Sequence, residues 1–171
     1  VAANWTGRMV SISEDGSVSD RGPKPAFVGT PGMNEIIRYL SIGLDVQWAR
    51  RVQTVSQGDG WQLLFETGEV KTGFDKVLIA VPAEQVSDLV ADVSETIAAE
   101  AQSIRSKPCC TVMAAFEERL NPTWDAASIE GRPISWAARN SSKPDRHEME
   151  TWVLQASSDW SIAHLEDDKE H

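Results

Sequence analysis

The residues best able to do chemistry are concentrated in Trp136-Ala137-Ala138-Arg139-Asn140-Ser141-Ser142-Lys143-Pro144. That run places an aromatic face, a guanidinium, an amide and two hydroxyls close together, ahead of a proline-broken loop. An aromatic wall beside a cation suits a flat, anionic, partly aromatic ligand. On composition alone, the same run reads equally well as a strand running out into a polar loop. Other candidates are weaker. Glu117-Glu118 and Asp167-Asp168 are sequence neighbours whose side chains diverge, so they read as solvated surface rather than as acid/base pairs. His147, His164 and His171 are scattered and read as surface histidines. Cys109 and Cys110 are adjacent, which suits two free thiols in a reducing cytosol better than a bridge. No Cys-x-x-Cys or His-x-x-x-His spacing supports a metal site. Gly-x-Ser-x-Gly, Gly-x-Gly-x-x-Gly and the phosphate-cradling P-loop are all absent.

Charge narrows the partners. With 16 Lys and Arg against 26 Asp and Glu, the 171-residue chain carries a formal charge of -10. Such a surface repels phosphate backbones and anionic lipids, which argues against nucleic acid, membranes and a DNA-repair photolyase role. A local basic pocket for one anionic ligand remains compatible with it. No apolar run approaches the ~20 residues needed to span a bilayer. The chain opens Val1-Ala2-Ala3-Asn4-Trp5 without a methionine or a basic leader, and so reads as cut rather than targeted.

The elements that must position these residues follow from periodicity. Trp5–Ile12 alternates as one half-buried strand, and Phe27-Val28-Gly29 is extended into a turn. Met33, Ile36, Ile37 and Leu40 recur at helical spacing, giving a helix with one apolar side that ends at Gly43. Strands are expected over Asp45–Ala49 with Val52–Val55, then Trp61–Glu66, Glu69–Thr72 and Lys76–Val81. The last, Val77-Leu78-Ile79-Ala80-Val81, is continuously apolar and stops at Pro82, as a strand buried in a parallel sheet would. Helices follow at Glu84–Leu89 and from a Ser94 cap, then a central strand over Cys109–Phe116. Further strands at Ile134–Ala138 and Thr151–Ala156 precede a helix capped by Ser157 or Ser158. Trp5, Trp48, Trp61, Trp136 and Trp152 fall in strand-like segments, where burial is expected for about four in five. Strands and helices without strict alternation make the class α+β.

In this order, Phe27–Met33, Arg51-Val52, Phe74–Pro82, Trp136–Pro144 and Thr151–Ser161 resemble bacterial renalase-like proteins of the flavin-containing amine oxidase superfamily. The resemblance runs from about Arg8 to the end, and Trp136–Pro144 is its specific part. It implies an antiparallel-sheet substrate domain plus part of a Rossmann-type FAD domain with a β-meander. Residues 28–82 would belong to the FAD domain, and residues 1–27 with 83–171 to a discontinuous substrate domain. It also implies FAD contacts at Val52, Ala80, Val81, Pro82, Gly29, Gly32 and Met33, with glycines letting backbone approach a flat ring. Trp136, Arg139 and Asn140 would face the substrate.

The implied chemistry is hydride transfer to flavin from a dihydronicotinamide dinucleotide isomer or an amine, with reoxidation by oxygen. The family's Gly-x-Gly-x-x-Gly loop and C-terminal flavin segment do not occur here. The expectation is therefore a cytoplasmic piece of a larger enzyme, inactive and flavin-free on its own, whose partner is the remainder of its parent chain. The oxidoreductase reading leans on Lys76–Val81 lying inside a parallel sheet. The alternative is a non-catalytic α+β binding module derived from such a domain.

Overall fold

Glycine, proline and short polar turns interrupt the apolar pattern so often that, among the described residues, no helix or strand exceeds nine residues. The computed structural model describes residues 1–22 and 24–167, so Asp168 and His171 lie outside the described residues. Two compact units emerge: Val1–Leu44 with the chain from Lys107 onward, and Asp45–Ser106. The second unit thus shares residues 45–82 with the expected FAD segment, while residues 28–44 fall in the first.

The first unit begins with β1 (Ala2–Trp5), β2 (Met9–Ile12), β3 (Val18–Asp20), β4 (Ala26–Gly29) and α1 (Glu35–Leu40). The single strand expected over Trp5–Ile12 is two. β1 pairs antiparallel with β4, whereas β2 joins a different sheet. Gly7 lies at the break, where a Cβ would come within 2.5 Å of the Trp5 indole nitrogen. A larger residue there would collide with that ring, so the crossing needs glycine. α1 has no buried residue, and Met33, Ile37 and Leu40 are exposed.

The second unit holds β5 (Val52–Gly58), β6 (Gly60–Phe65), β7 (Val70–Phe74), α2 (Ala83–Val90) and α3 (Glu95–Ser103). The three strands form an antiparallel meander, β5-β6-β7. Gly60, with φ 82°, supplies the left-handed position of the tight β5–β6 turn. Ser94 caps α3 as expected, accepting from the Ile97 amide at 3.3 Å. Asp45–Ala49 is not a strand, and Trp48 is 75% exposed rather than buried.

Lys76–Val81 is not a strand either. Its apolar side chains face solvent, Leu78 being 94% exposed. A strand buried on both faces needs neighbours that accept its backbone bonds and cover its side chains. Among the described residues none pairs with it, and the only parallel pair is β2 with β9 in the other unit. Lys76–Val81 therefore lends no support to a flavin sheet within this chain.

Returning to the first unit, the chain adds β8 (Thr111–Phe116), β9 (Ala126–Ile129), β10 (Ile134–Arg139), a 3-10 turn (Asn140–Ser142), β11 (Glu150–Ala156) and α4 (Ser158–Ala163). The large sheet runs β3-β2-β9-β10-β11-β8. β8 is an edge strand rather than the central one expected, which leaves Val112 and Met113 exposed. Val10, Ala126 and Ala127, all without exposed surface, mark its centre at β2 and β9. The core packs Trp5, Val28, Ala126 and Ala138, with Met9, Ala26 and Trp136 against them. Ser157 caps α4, accepting from the Trp160 amide at 3.2 Å. The fold is α+β.

Candidate functional site

Alternation along β10 sorts the residues singled out in the sequence. Trp136 and Ala138 pack into the core with Trp5, while Ala137 and Arg139 take the opposite face. The aromatic wall and the cation expected side by side from Trp136 and Arg139 are therefore on different faces. Arg139 has another aromatic, its guanidinium lying 5.2 Å over the Trp152 ring.

Arg139 is almost wholly buried and heavily engaged. Its Nε donates to Glu150 Oε1 at 3.1 Å, Nη1 to Asp125 Oδ1 at 3.1 Å and Nη2 to the Leu120 carbonyl at 2.8 Å. Glu150 also accepts from Trp152 Nε1 at 2.7 Å and from the Ser141 hydroxyl at 3.3 Å. Burial pushes the Glu150 carboxyl up, but the Trp152 bond, the Arg139 charge and the Ser141 bond outweigh it. The net effect holds that carboxyl below its ordinary range. A buried charge answered this fully is a lock on the end of β10. Arg139 also borders a cavity of about 490 Å³ with Phe116, Arg119, Ser141, Glu148 and Glu150.

The lock aims the following turn. Ser142 donates to the Arg139 carbonyl at 2.9 Å and accepts from Trp5 Nε1 at 3.0 Å, tying the turn to the end of β1. Asn140 accepts from Lys143 Nζ at 3.3 Å, and that ammonium lies 5.4 Å over the Trp5 ring. Burial, and then the Arg146 charge, push the Lys143 ammonium down from its ordinary range.

Three residues on, Arg146 reaches back to the Gly29–Met33 turn. Its guanidinium donates to the Gly29 carbonyl at 2.9 Å and also to the Pro31 carbonyl. The turn also closes on itself, the Gly29 amide meeting Met33 Sδ at 3.3 Å. A Cβ on Gly29 would approach the Gly32 carbonyl at 2.6 Å, and one on Gly32 would approach Asn34 Oδ1 at 2.7 Å. Gly29 is thus required by the turn's own closure, a reason different from the approach of a flat ring, whereas at Gly32 only a movable Asn34 side chain stands in the way. Gly29, Gly32 and Met33 are joined to the Asn140–Arg146 loop through Arg146, which no motif flagged. Its only sequence signal was a cation just past the Trp136–Pro144 run.

In the second unit, Val52 and Val81 border one cavity of about 660 Å³ with Arg51, Glu66, Glu84 and Asp88. Arg51 is answered by Glu66 at 3.3 Å, and Arg50 by Glu69. Pro82 opens α2, accepting from the Gln85 amide at 2.9 Å, and Ala80 is exposed. A dinucleotide pyrophosphate calls for amide-rich, positively charged surroundings. This cavity offers paired arginines and excess carboxylates, so the residues present do not by themselves fit the phosphates of FAD.

The surface candidates stay on the surface. Glu117 and Glu118 are exposed, and Cys109 and Cys110 are free. No group of three or more His, Cys, Asp or Glu among the described residues is placed to hold a metal. No described helix is long and apolar enough to cross a membrane.

The family model for flavin-containing amine oxidoreductases matches residues 19–170. The chain belongs to that family. Membership implies flavin, as FAD, as the cofactor of the parent protein. Solved structures share the fold. A putative protoporphyrinogen oxidase from Exiguobacterium sp. 255-15 aligns with a TM-score of 0.55 at 20% identity, covering 73% of this chain and 29% of its own. A putrescine oxidase redesigned in its cofactor binding aligns with a TM-score of 0.63 at 19% identity, covering 85% and 33%. The chain thus spans about a third of the length of these two solved structures.

Proposed function

We infer that this chain works as part of an FAD-dependent oxidoreductase that takes a hydride from a small substrate. The observation that carries this reading is the family match over residues 19–170. When bound, the flavin supplies the redox chemistry, and the protein supplies position and electrostatics. On this reading the Asn140–Arg146 loop and the Gly29–Met33 turn form the wall nearest the substrate. The Arg139–Glu150–Asp125 lock holds that wall still. Trp136 then serves as packing beneath it, and Asn140 orients Lys143. Val52, Ala80, Val81 and Pro82 lend backbone to a cofactor whose phosphates are held by the remainder of the parent chain.

The renalase-like assignment, with a dihydronicotinamide dinucleotide isomer favoured over an amine, draws support from the two cations of the loop, which suit an anionic substrate. The two free thiols support a reducing, cytoplasmic setting. The test is colour. The full-length parent should keep a flavin absorption band through gel filtration, while the 171-residue chain alone should come through colourless. A parent that stays colourless with excess FAD would sink the oxidoreductase reading and favour the binding module; a yellow 171-residue chain would sink the claim that the phosphates are held elsewhere.

A further inference from the structure

The face of the large sheet opposite Trp136 carries a second hollow, different in chemistry from the polar cavity beside Arg139. Ala137 on β10, Trp152 and Leu154 on β11 and Phe116 on β8 share that face with Arg139. The Leu120–Trp124 loop passes over them, and together they bound a pocket of about 300 Å³. Among the described residues, no polar surface lines it. Ala137 and Trp152 make a buried floor, while Phe116 and Leu120 at the rim are each 38% exposed. The pocket therefore opens to solvent.

An apolar hollow under a free loop closes, because every unfilled wall forfeits contacts. Here the loop is clamped at three places. Arg139 Nη2 donates to the Leu120 carbonyl at 2.8 Å, and Arg8 Nη1 to the Thr123 carbonyl at 2.9 Å. Asp125, just past the loop, accepts from Arg139 Nη1 at 3.1 Å and from the Arg8 amide at 2.9 Å. Trp152 is pinned by its bond to Glu150, by the guanidinium over its ring and by Trp124, which meets it edge-on at 5.4 Å. The buried ionic lock thus props open an apolar pocket with fixed walls.

Water gains little there, since no polar group answers it. A chain segment laid across the pocket finds no backbone partner in the lining, whereas a free neutral ring needs none. A carboxylate or an ammonium would be buried without a partner. Size agrees: a dry cavity of about 150 Å³ already admits benzene, so this one has room for two fused rings. We propose that this pocket binds a neutral aromatic group of a small molecule, one or two rings in size, with Trp124 and Trp152 as its walls. The site stands on the geometry of the first unit and does not depend on the flavin reading.

The test uses the full-length parent protein with FAD, and fluoronaphthalene as the probe, followed by its fluorine resonance. Saturable binding at one site is expected. Leu120→Asp sets a carboxylate on the exposed rim and should weaken that binding about tenfold, with the thermal midpoint unchanged. Ala137→Leu fills the floor and should abolish binding; if overpacking unfolds that variant, Leu120→Asp decides alone. No saturable binding, or equal binding by Leu120→Asp, overturns the site. A marked fall in the thermal midpoint of Leu120→Asp overturns it as well, because the rim would then be packed under another part of the parent chain. A yellow parent without binding refutes the site and leaves the oxidoreductase reading standing. A colourless parent that binds the probe does the reverse.

Discussion

The two compact units differ in how they treat charge, while each leaves some apolar side chains in solvent. In the first, the buried centre of the sheet is small and tight, and a buried guanidinium is met by two carboxylates. In the second, a three-stranded meander and two helices bury Val55, Phe65, Val90, Ala98 and Ala101, while the Lys76–Val81 run stands in solvent. An apolar sequence is therefore no guarantee of burial: a strand needs neighbours, and Val77–Val81 has none among the described residues. A charge in the interior is equally no sign of a ligand site, because Arg139 has its counter-ions built in.

Breaking the lock should have the largest effect. Glu150→Ala leaves Arg139 buried with only Asp125 to balance it and should cost about 3 kcal/mol in urea unfolding. A loss below about 1 kcal/mol would mean that water reaches the cluster and that it locks nothing. Acid should act in the same direction. Because the folded Glu150 carboxyl ionises more readily than the unfolded one, its contribution is present above the ordinary carboxylate range. It is lost as pH falls through the lowered folded value, where the unfolded chain binds the proton first. The fall in stability between about pH 5 and pH 3 should be shallower in Glu150→Gln than in the unmodified chain.

The second unit should respond more mildly. Ser94→Ala removes the cap that accepts from the Ile97 amide and should cost about 1 kcal/mol. Faster hydrogen exchange confined to the first turn of α3 would show it. Smallest of all, Leu78→Ser should change stability by less than about 0.5 kcal/mol in the 171-residue chain, because that side chain is already in water. A cost above about 1 kcal/mol would show Leu78 packed, and the contrast between the units would fail.

Much of the local structure was legible in advance. The Ser94 cap, a serine cap at 157 or 158, the Gly60 turn, β6, β10, β11 and α2 follow from residue type and spacing over a few positions. β9 was not, because Ala126-Ala127-Ser128-Ile129 is short, small and only weakly patterned. Its place between β2 and β10 depends on partners more than one hundred residues away in one case. The exposure of α1 and Trp48 was also illegible, since periodicity predicts that a face is apolar and says nothing about what covers it. For the candidate site, the Trp136–Pro144 run drew attention to the end of β10 and the turn that follows it. It named Arg139 as a ligand-facing cation where the fold supplies two carboxylates, and it passed over Arg146.

Sequence alone determined the α+β class, the family likeness, the acidic balance and the positions of caps and turns, because these depend on composition and on neighbours within one or two turns of chain. Tertiary structure decided which cations are neutralised, which face of β10 each residue takes, and that Arg146 grips the Gly29–Met33 turn. Charge pairing and burial are set by groups distant in sequence, and a side chain carries no record of which of them the fold will bring within reach.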